Sequence, residues 1–159
     1  MELTKTKMIV EKLIEKNKTL STMESCTGGG VANCITNIDG SSSIFKFGAV
    51  TYSNDFKIKM NVNENTIDKY SVYSIEVANE MSKNISDFAG ADFGIGVTGK
   101  LNCEDEANPR GEKDKVFISI YSKSEDKYYN NSIRVTHNNR QMNKDIVIRE
   151  IMDMLNSIL

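Results

Sequence analysis

Cysteine is scarce in this chain of 159 residues. Cys26, Cys34 and Cys103 make an odd set with no CxxC spacing, which argues against a disulfide framework and against a zinc site. A reducing cytoplasm is therefore the expected setting. Histidine is scarcer still: His137 stands alone, so two-histidine metal sites are excluded by count and a Ser-His-Asp triad would have to converge on that one residue. Charge of one sign is also missing. A formal net charge of −2 gives the counterion-release term that drives nucleic-acid binding no strong global source, so DNA or RNA is not expected as the main ligand. Long apolar runs are absent too. No stretch of 18 apolar residues occurs, and acid or polar residues interrupt Met1 to Val10 within every turn, so neither a targeting segment nor a membrane partner is expected.

What is present is 39% hydrophobic and 26% charged residues, the balance of a globular chain. At this length one domain, residues 1–159, buries about 70% of its unfolded surface. Met8, Ile9, Leu13 and Ile14 recur at helical spacing over residues 4–17, and a short strand over 19–24 leads into Ser25-Cys-Thr-Gly-Gly-Gly30 and a helix over 31–38. Phe47 to Ser53 reads as a second strand, with Asn54 available to cap the next element. Ser74 precedes a helix carrying Val77, Met81, Ile85 and Phe88 that stops near Gly90. Further strands lie at 92–97, 116–121 and 128–135, the last two as a hairpin, then a helix from about Arg140 to Ser157. Residues 99–115 form the long loop. This alternation predicts an α/β fold, a three-layer α/β/α domain whose mixed sheet is covered by helices on both faces. Ligands in such folds bind beyond the carboxyl ends of strands.

The sharpest local feature is Glu24-Ser-Cys-Thr-Gly-Gly-Gly30, between a strand and a helix. Glycines there let the backbone approach a ligand, and free N–H groups at the positive end of a helix attract an anion, either a phosphate or a developing oxyanion. The plainer alternative is a tight turn in which Ser25 or Thr27 caps the helix. A second feature is Tyr52-Ser-Asn-Asp-Phe-Lys57, at a strand end. A lysine partly buried near a tyrosine can serve as the base that a serine nucleophile needs; otherwise Lys57 is a solvated helix lysine and Tyr52 a half-buried strand aromatic. Cys26 is a rival nucleophile or a small packed thiol. Arg140 either pairs an anion or faces solvent. Glu104, Asp105 and Glu106 read as a solvated acidic loop.

Glu24-Ser-Cys-Thr-Gly-Gly29, Gly40-Ser-Ser42, Tyr52-Ser-Asn54 with Lys57, and Val97-Thr-Gly99 stand in the order and spacing of the CinA C-terminal family. On these motifs, from about Leu3 to Ile158, the chain resembles the free-standing form of that family. The resemblance implies a metal-independent amidohydrolase without a cofactor, converting nicotinamide mononucleotide to nicotinate mononucleotide and ammonia. The implied partner is therefore a small pyridine nucleotide. It implies Ser25 as nucleophile and Lys57 and Tyr52 as its activating partners. Thr98 and Arg140 are then substrate-binding residues. With the resemblance, the N–H groups of the turn Thr27, Gly28, Gly29 and Gly30 would hold either the oxyanion or the phosphate.

One region departs from the family. After Val-Thr-Gly the family continues Ile-Ala-Gly-Pro with further glycines, whereas this chain reads Lys100-Leu-Asn-Cys-Glu-Asp-Glu-Ala-Asn-Pro109. An anionic nucleotide meeting Glu104, Asp105 and Glu106 would be repelled. That loop is the reason for a second expectation, a catalytically weakened nucleotide-binding or regulatory module of the same fold. Whether the chain forms a homo-oligomer is left open by its sequence.

Overall fold

Leu20–Glu24 (β1) is buried at every position, as a strand covered on both faces must be. The structure, a computed structural model, describes residues 2–159. On either side of β1 lie two parallel neighbours, Phe45–Val50 (β2) and Phe93–Gly99 (β3). Lys115–Ser122 (β4) runs antiparallel to β3, and Lys127–Arg134 (β5) antiparallel to β4, giving a five-stranded sheet in the order β2-β1-β3-β4-β5. The mixed sheet is the one expected.

Helices cover both faces. Glu2–Glu15 (α1), Gly30–Thr36 (α2) and Arg140–Ile158 (α6) share one core: Ile9, Leu13, Val31, Ile35, Val147 and Ile151 pack with Leu20, Ile95, Val97, Ile118 and Ile120 of the sheet. Asn54–Lys59 (α3) follows β2, and Glu64–Tyr70 (α4) and Ile75–Ala89 (α5) bring Ile67, Val77, Met81 and Ile85 against Met23 of β1 in a second core. Among the described residues no helix is long and apolar enough to cross a membrane.

The contact between α5 and β3 is close enough to need glycine. A Cβ on Gly94 would stand 2.0 Å from the Ser82 carbonyl oxygen, and one on Gly96 would stand 2.4 Å from that of Ala78. The Ser82 and Ser119 hydroxyls, 2.9 Å apart, tie the same helix to β4. These contacts fix the height of β3, and with it the position of the chain that leaves its carboxyl end.

Several local expectations are corrected. The stripe of α1 is centred on Ile9, Val10 and Leu13, while Met8 and Ile14 at its margins are exposed. Phe88, in the last turn of α5, leaves the core and meets the ring of Phe47 on the edge strand β2 at 5.2 Å. The cap of α3 is Ser53, whose Oγ accepts from the Phe56 N–H; Asn54 is already the first helical residue. Helix α4 has no signal in the sequence, because only Ile67 of its seven residues is buried and no apolar period is visible. Ser74 does cap α5, accepting from the Val77 N–H, and Gly90 ends it with a φ of 63°.

Candidate active site

All three parallel strands end on the same edge of the sheet. Glu24, the last residue of β1, pairs with Val50 of β2 and Val97 of β3. The segments that begin at Ser25, Thr51 and Lys100 therefore emerge side by side, and the antiparallel β4 returns the loop 100–114 to the same edge through the Gly99–Val116 pairing.

The turn after β1 is organised by an acid. Glu24 is buried, and its carboxylate accepts from the Thr27 hydroxyl at 2.6 Å and from the N–H groups of Val31 and Ala32 at 2.8 and 3.0 Å. It thus occupies the positive end of α2 from within. Gly28 and Gly29, with φ of 61° and 95°, make the turn that lets this carboxylate reach back to the helix it precedes. Ser25 is held above the strands by its own N–H, which donates to the Val97 carbonyl at 3.1 Å.

That arrangement corrects the expected role of the glycine turn. The Gly28 N–H donates to the Ser25 carbonyl and the Gly30 N–H to the Thr27 carbonyl, each at 3.0 Å. With Val31 and Ala32 on Glu24, these donors are engaged and the helix end is closed to an external anion. The Thr27 side chain is structural for the same reason. Neither these glycines nor Thr27 line the cleft beside Ser25. The N–H groups of Cys26, Thr27 and Gly29 have no oxygen acceptor among the described residues.

Lys57 approaches Ser25 from α3. Its side chain is buried (2% exposed), and Nζ lies 2.9 Å from Ser25 Oγ and donates to the Thr51 carbonyl at 2.6 Å. Burial pushes this amine down from 10.5 to about 8, against the opposing pull of Cys26 and Asp105. A neutral lysine can accept the Ser25 proton while still donating to Thr51. Burial pushes the neighbouring Cys26 thiol the other way, up to about 12, although Lys57 and Arg140 oppose it. Cys26 therefore remains a thiol through the neutral range.

A cleft of about 280 Å³ opens on Ser25. Tyr52, Tyr73, Lys100, Asp105 and Arg140 are among its lining residues. Tyr52 is exposed at its rim, where its hydroxyl accepts from Arg140 Nη2 at 3.1 Å instead of meeting Ser25 or Lys57. Arg140 opens α6 behind the cap Asn139 and faces the cleft. Thr98 is fully buried, its hydroxyl donating to the Val72 carbonyl at 3.0 Å, so its side chain holds β3 to the segment before α5 instead of lining the cleft. His137 is exposed and outside the cleft, which removes the triad alternative.

Three site residues carry no signal in their spacing. Glu24 is visible in the sequence only as the first letter of a motif. Burial and its donation to Asp105 raise the Tyr73 phenol, and the same hydrogen bond lowers the Asp105 carboxyl against the opposing effect of burial. Lys100 is buried in the wall of the cleft, though its sequence neighbours are loop-like and polar. Tyr73 is defined by a partner from another segment, Asp105, and Lys100 by the Tyr73 ring beside it, whereas Glu24 is matched within its own turn by Thr27, Val31 and Ala32, a closure that spacing alone does not show.

Comparison with known proteins agrees with this architecture. The model of the CinA C-terminal domain matches residues 2–159. A competence-damage inducible protein of Clostridium botulinum (strain ATCC 19397 / Type A) is 38% identical over 156 residues, which are 93% of this chain and 36% of that protein. One from Thermoanaerobacter sp. (strain X514) is 45% identical over 93 residues, 57% of this chain and 22% of that protein. The chain thus spans about a third or less of the length of these curated relatives. Among solved structures, the competence/damage inducible protein CihA from Agrobacterium tumefaciens superposes with a TM-score of 0.88 at 26% identity, covering 98% of this chain and 94% of that one. The competence or damage-inducible protein from Enterobacter asburiae, at 20% identity and a TM-score of 0.90, covers 100% and 99% and supports the fold alone. On the family match across almost its whole length, joined to the shared three-layer fold, this chain belongs to the CinA C-terminal domain family.

Proposed function

We propose that the chain is a metal-independent amidohydrolase that converts nicotinamide mononucleotide to nicotinate mononucleotide and ammonia, with Ser25 as nucleophile. The observation that carries this reading is the buried Lys57 amine, 2.9 Å from Ser25 Oγ and lowered to about 8. Serine is a weak nucleophile until a base takes its proton, and a desolvated lysine is a base suited to neutral pH.

In the first half of the reaction Ser25 Oγ bonds to the carboxamide carbon as its proton passes to Lys57 Nζ. The N–H of Cys26, a residue of the cleft wall, is the turn's donor for the oxyanion. Lys57 then gives the proton to the amide nitrogen, the C–N bond breaks, and ammonia leaves a nicotinoyl ester on Ser25. Water attacks that ester, its proton moving to Lys57 and from there to Ser25 Oγ as the acid departs. Tyr52 and Arg140, joined at the rim, are positioned to contact the nucleotide and not to move the proton.

The test is release of ammonia from nicotinamide mononucleotide with and without a chelator. Release at an unchanged rate is expected; loss on chelation with recovery on adding a divalent cation would contradict the serine route. A second reading, a nucleotide-binding or regulatory module, is favoured by Glu104, Asp105 and Glu106 in the cleft wall. It predicts a nucleotide-induced rise in melting temperature with no ammonia released.

A further inference from the structure

Lys100 is the first residue of the loop after β3, and its side chain is 1% exposed. A buried ammonium is costly unless its donors are matched, because three N–H groups lose water at once. Here the matching is poor. The Pro109 carbonyl oxygen is 3.4 Å from Nζ and the Glu104 carboxylate 3.8 Å away, both longer than a good charged hydrogen bond. The ring of Tyr73 lies beneath, 5.4 Å from Nζ to its centroid. Glu104 itself is held loosely, with its side chain 68% exposed. Lys100, Glu104 and Tyr73 all line the cleft that opens on Ser25.

We propose that Lys100 binds the phosphomonoester of the ligand and that Glu104 holds its place when the cleft is empty. The proposal rests on the nucleotide reading of the site and extends it to a named recognition residue. A phosphate oxygen is a stronger partner for an ammonium than a long contact to a loosely held carboxylate, so it displaces Glu104 outward into solvent, where that side chain already mostly lies. The acidic loop then acts as a counter-ion that leaves, and its charge sets the selectivity of the site. Anions too weak to displace Glu104 are refused, and the phosphate-binding role closed to the α2 terminus by Glu24 falls to Lys100.

The test uses ribose 5-phosphate, a phosphomonoester without a carboxamide, with ribose as the uncharged control, in calorimetric titrations of the whole chain at low salt. Wild type should bind ribose 5-phosphate roughly tenfold or more tighter than ribose. Lys100→Met should lose that difference, Lys100→Arg should keep part of it, and Glu104→Gln should increase it. Equal binding of ribose 5-phosphate by wild type and Lys100→Met, or no preference over ribose in wild type, would overturn the proposal. An unchanged melting profile shows that each variant is folded, and Glu104→Gln, a surface change, gives a reading even where Lys100→Met unfolds. Loss of ribose 5-phosphate binding in Lys100→Met by a protein that releases no ammonia would retire the amidase reading and leave this one standing. Ammonia release with unchanged binding would do the reverse.

Discussion

At the scale of single residues, burial does the chemical sorting. The same desolvation lowers the Lys57 amine to about 8 and raises the Cys26 thiol to about 12, so the base is made available while the rival nucleophile is kept protonated. Ser25→Ala should therefore remove nearly all ammonia release while Cys26→Ala leaves most of it, as steady-state assay of the two variants will show; the reverse pattern identifies a cysteine enzyme. The lowered lysine also has a cost in stability. Between about pH 8 and 10.5 the folded state binds fewer protons at Lys57 than the unfolded chain, so this residue's contribution improves as pH rises and is most unfavourable below 8. Lys57→Met should accordingly raise the melting temperature at pH 7. The gain is about 3 kcal/mol from the charge, less about 1 for the Thr51 carbonyl left without its donor, and it should shrink towards pH 10. A lower melting temperature at pH 7 would mean that the lysine is matched better than its contacts indicate. The pairing of Ser25 and Lys57 is legible only through the family motif, since spacing alone favours Lys57 as a solvated helix residue.

Elements show where sequence reading works and where it stops. Helix α5 is legible because Val77, Met81 and Ile85 keep a helical period between a serine cap and a left-handed glycine, and β4 because Val116 to Tyr121 is rich in β-branched and aromatic residues. Helix α4 is not, since one buried side chain makes no period. The glycine turn is legible as a turn but not in its use: that Glu24 closes the α2 terminus depends on its carboxylate accepting from the N–H of Val31, seven residues further on. Thr98 enters the expected site only through the resemblance, and no pattern in the sequence shows that the Val72 carbonyl takes its hydroxyl. The fit of α5 on β3 is the element-level contact most exposed to test. Gly96→Ala sets a Cβ 2.4 Å from the Ala78 carbonyl oxygen and 2.7 Å from the Ser82 nitrogen, so it should cost about 1–3 kcal/mol in denaturant unfolding. A stability equal to wild type would show that helix and strand are free to separate.

For the molecule as a whole, topology gathers the site. Parallel β1, β2 and β3 deliver Ser25, the Thr51–Lys57 segment and Lys100 to one edge, and the antiparallel return of β4 brings the acidic loop over them. This is the ligand position expected of an open α/β sheet, beyond the carboxyl ends of its parallel strands. Lys57, Lys100 and Arg140 lie in or beside the cleft together with the acids Glu104, Asp105 and Glu106. Among the described residues, Lys57 is the one base within hydrogen-bond reach of Ser25 Oγ. The most direct measurement of that claim is the pH dependence of kcat for ammonia release from nicotinamide mononucleotide by wild type and Lys57→Arg. Arginine keeps the charge but cannot serve as a base. Wild type should gain about tenfold per pH unit below about 8 and level off above it, and Lys57→Arg should be slower by roughly 10²-fold or more. An active Lys57→Arg enzyme with the wild-type pH profile would contradict the account.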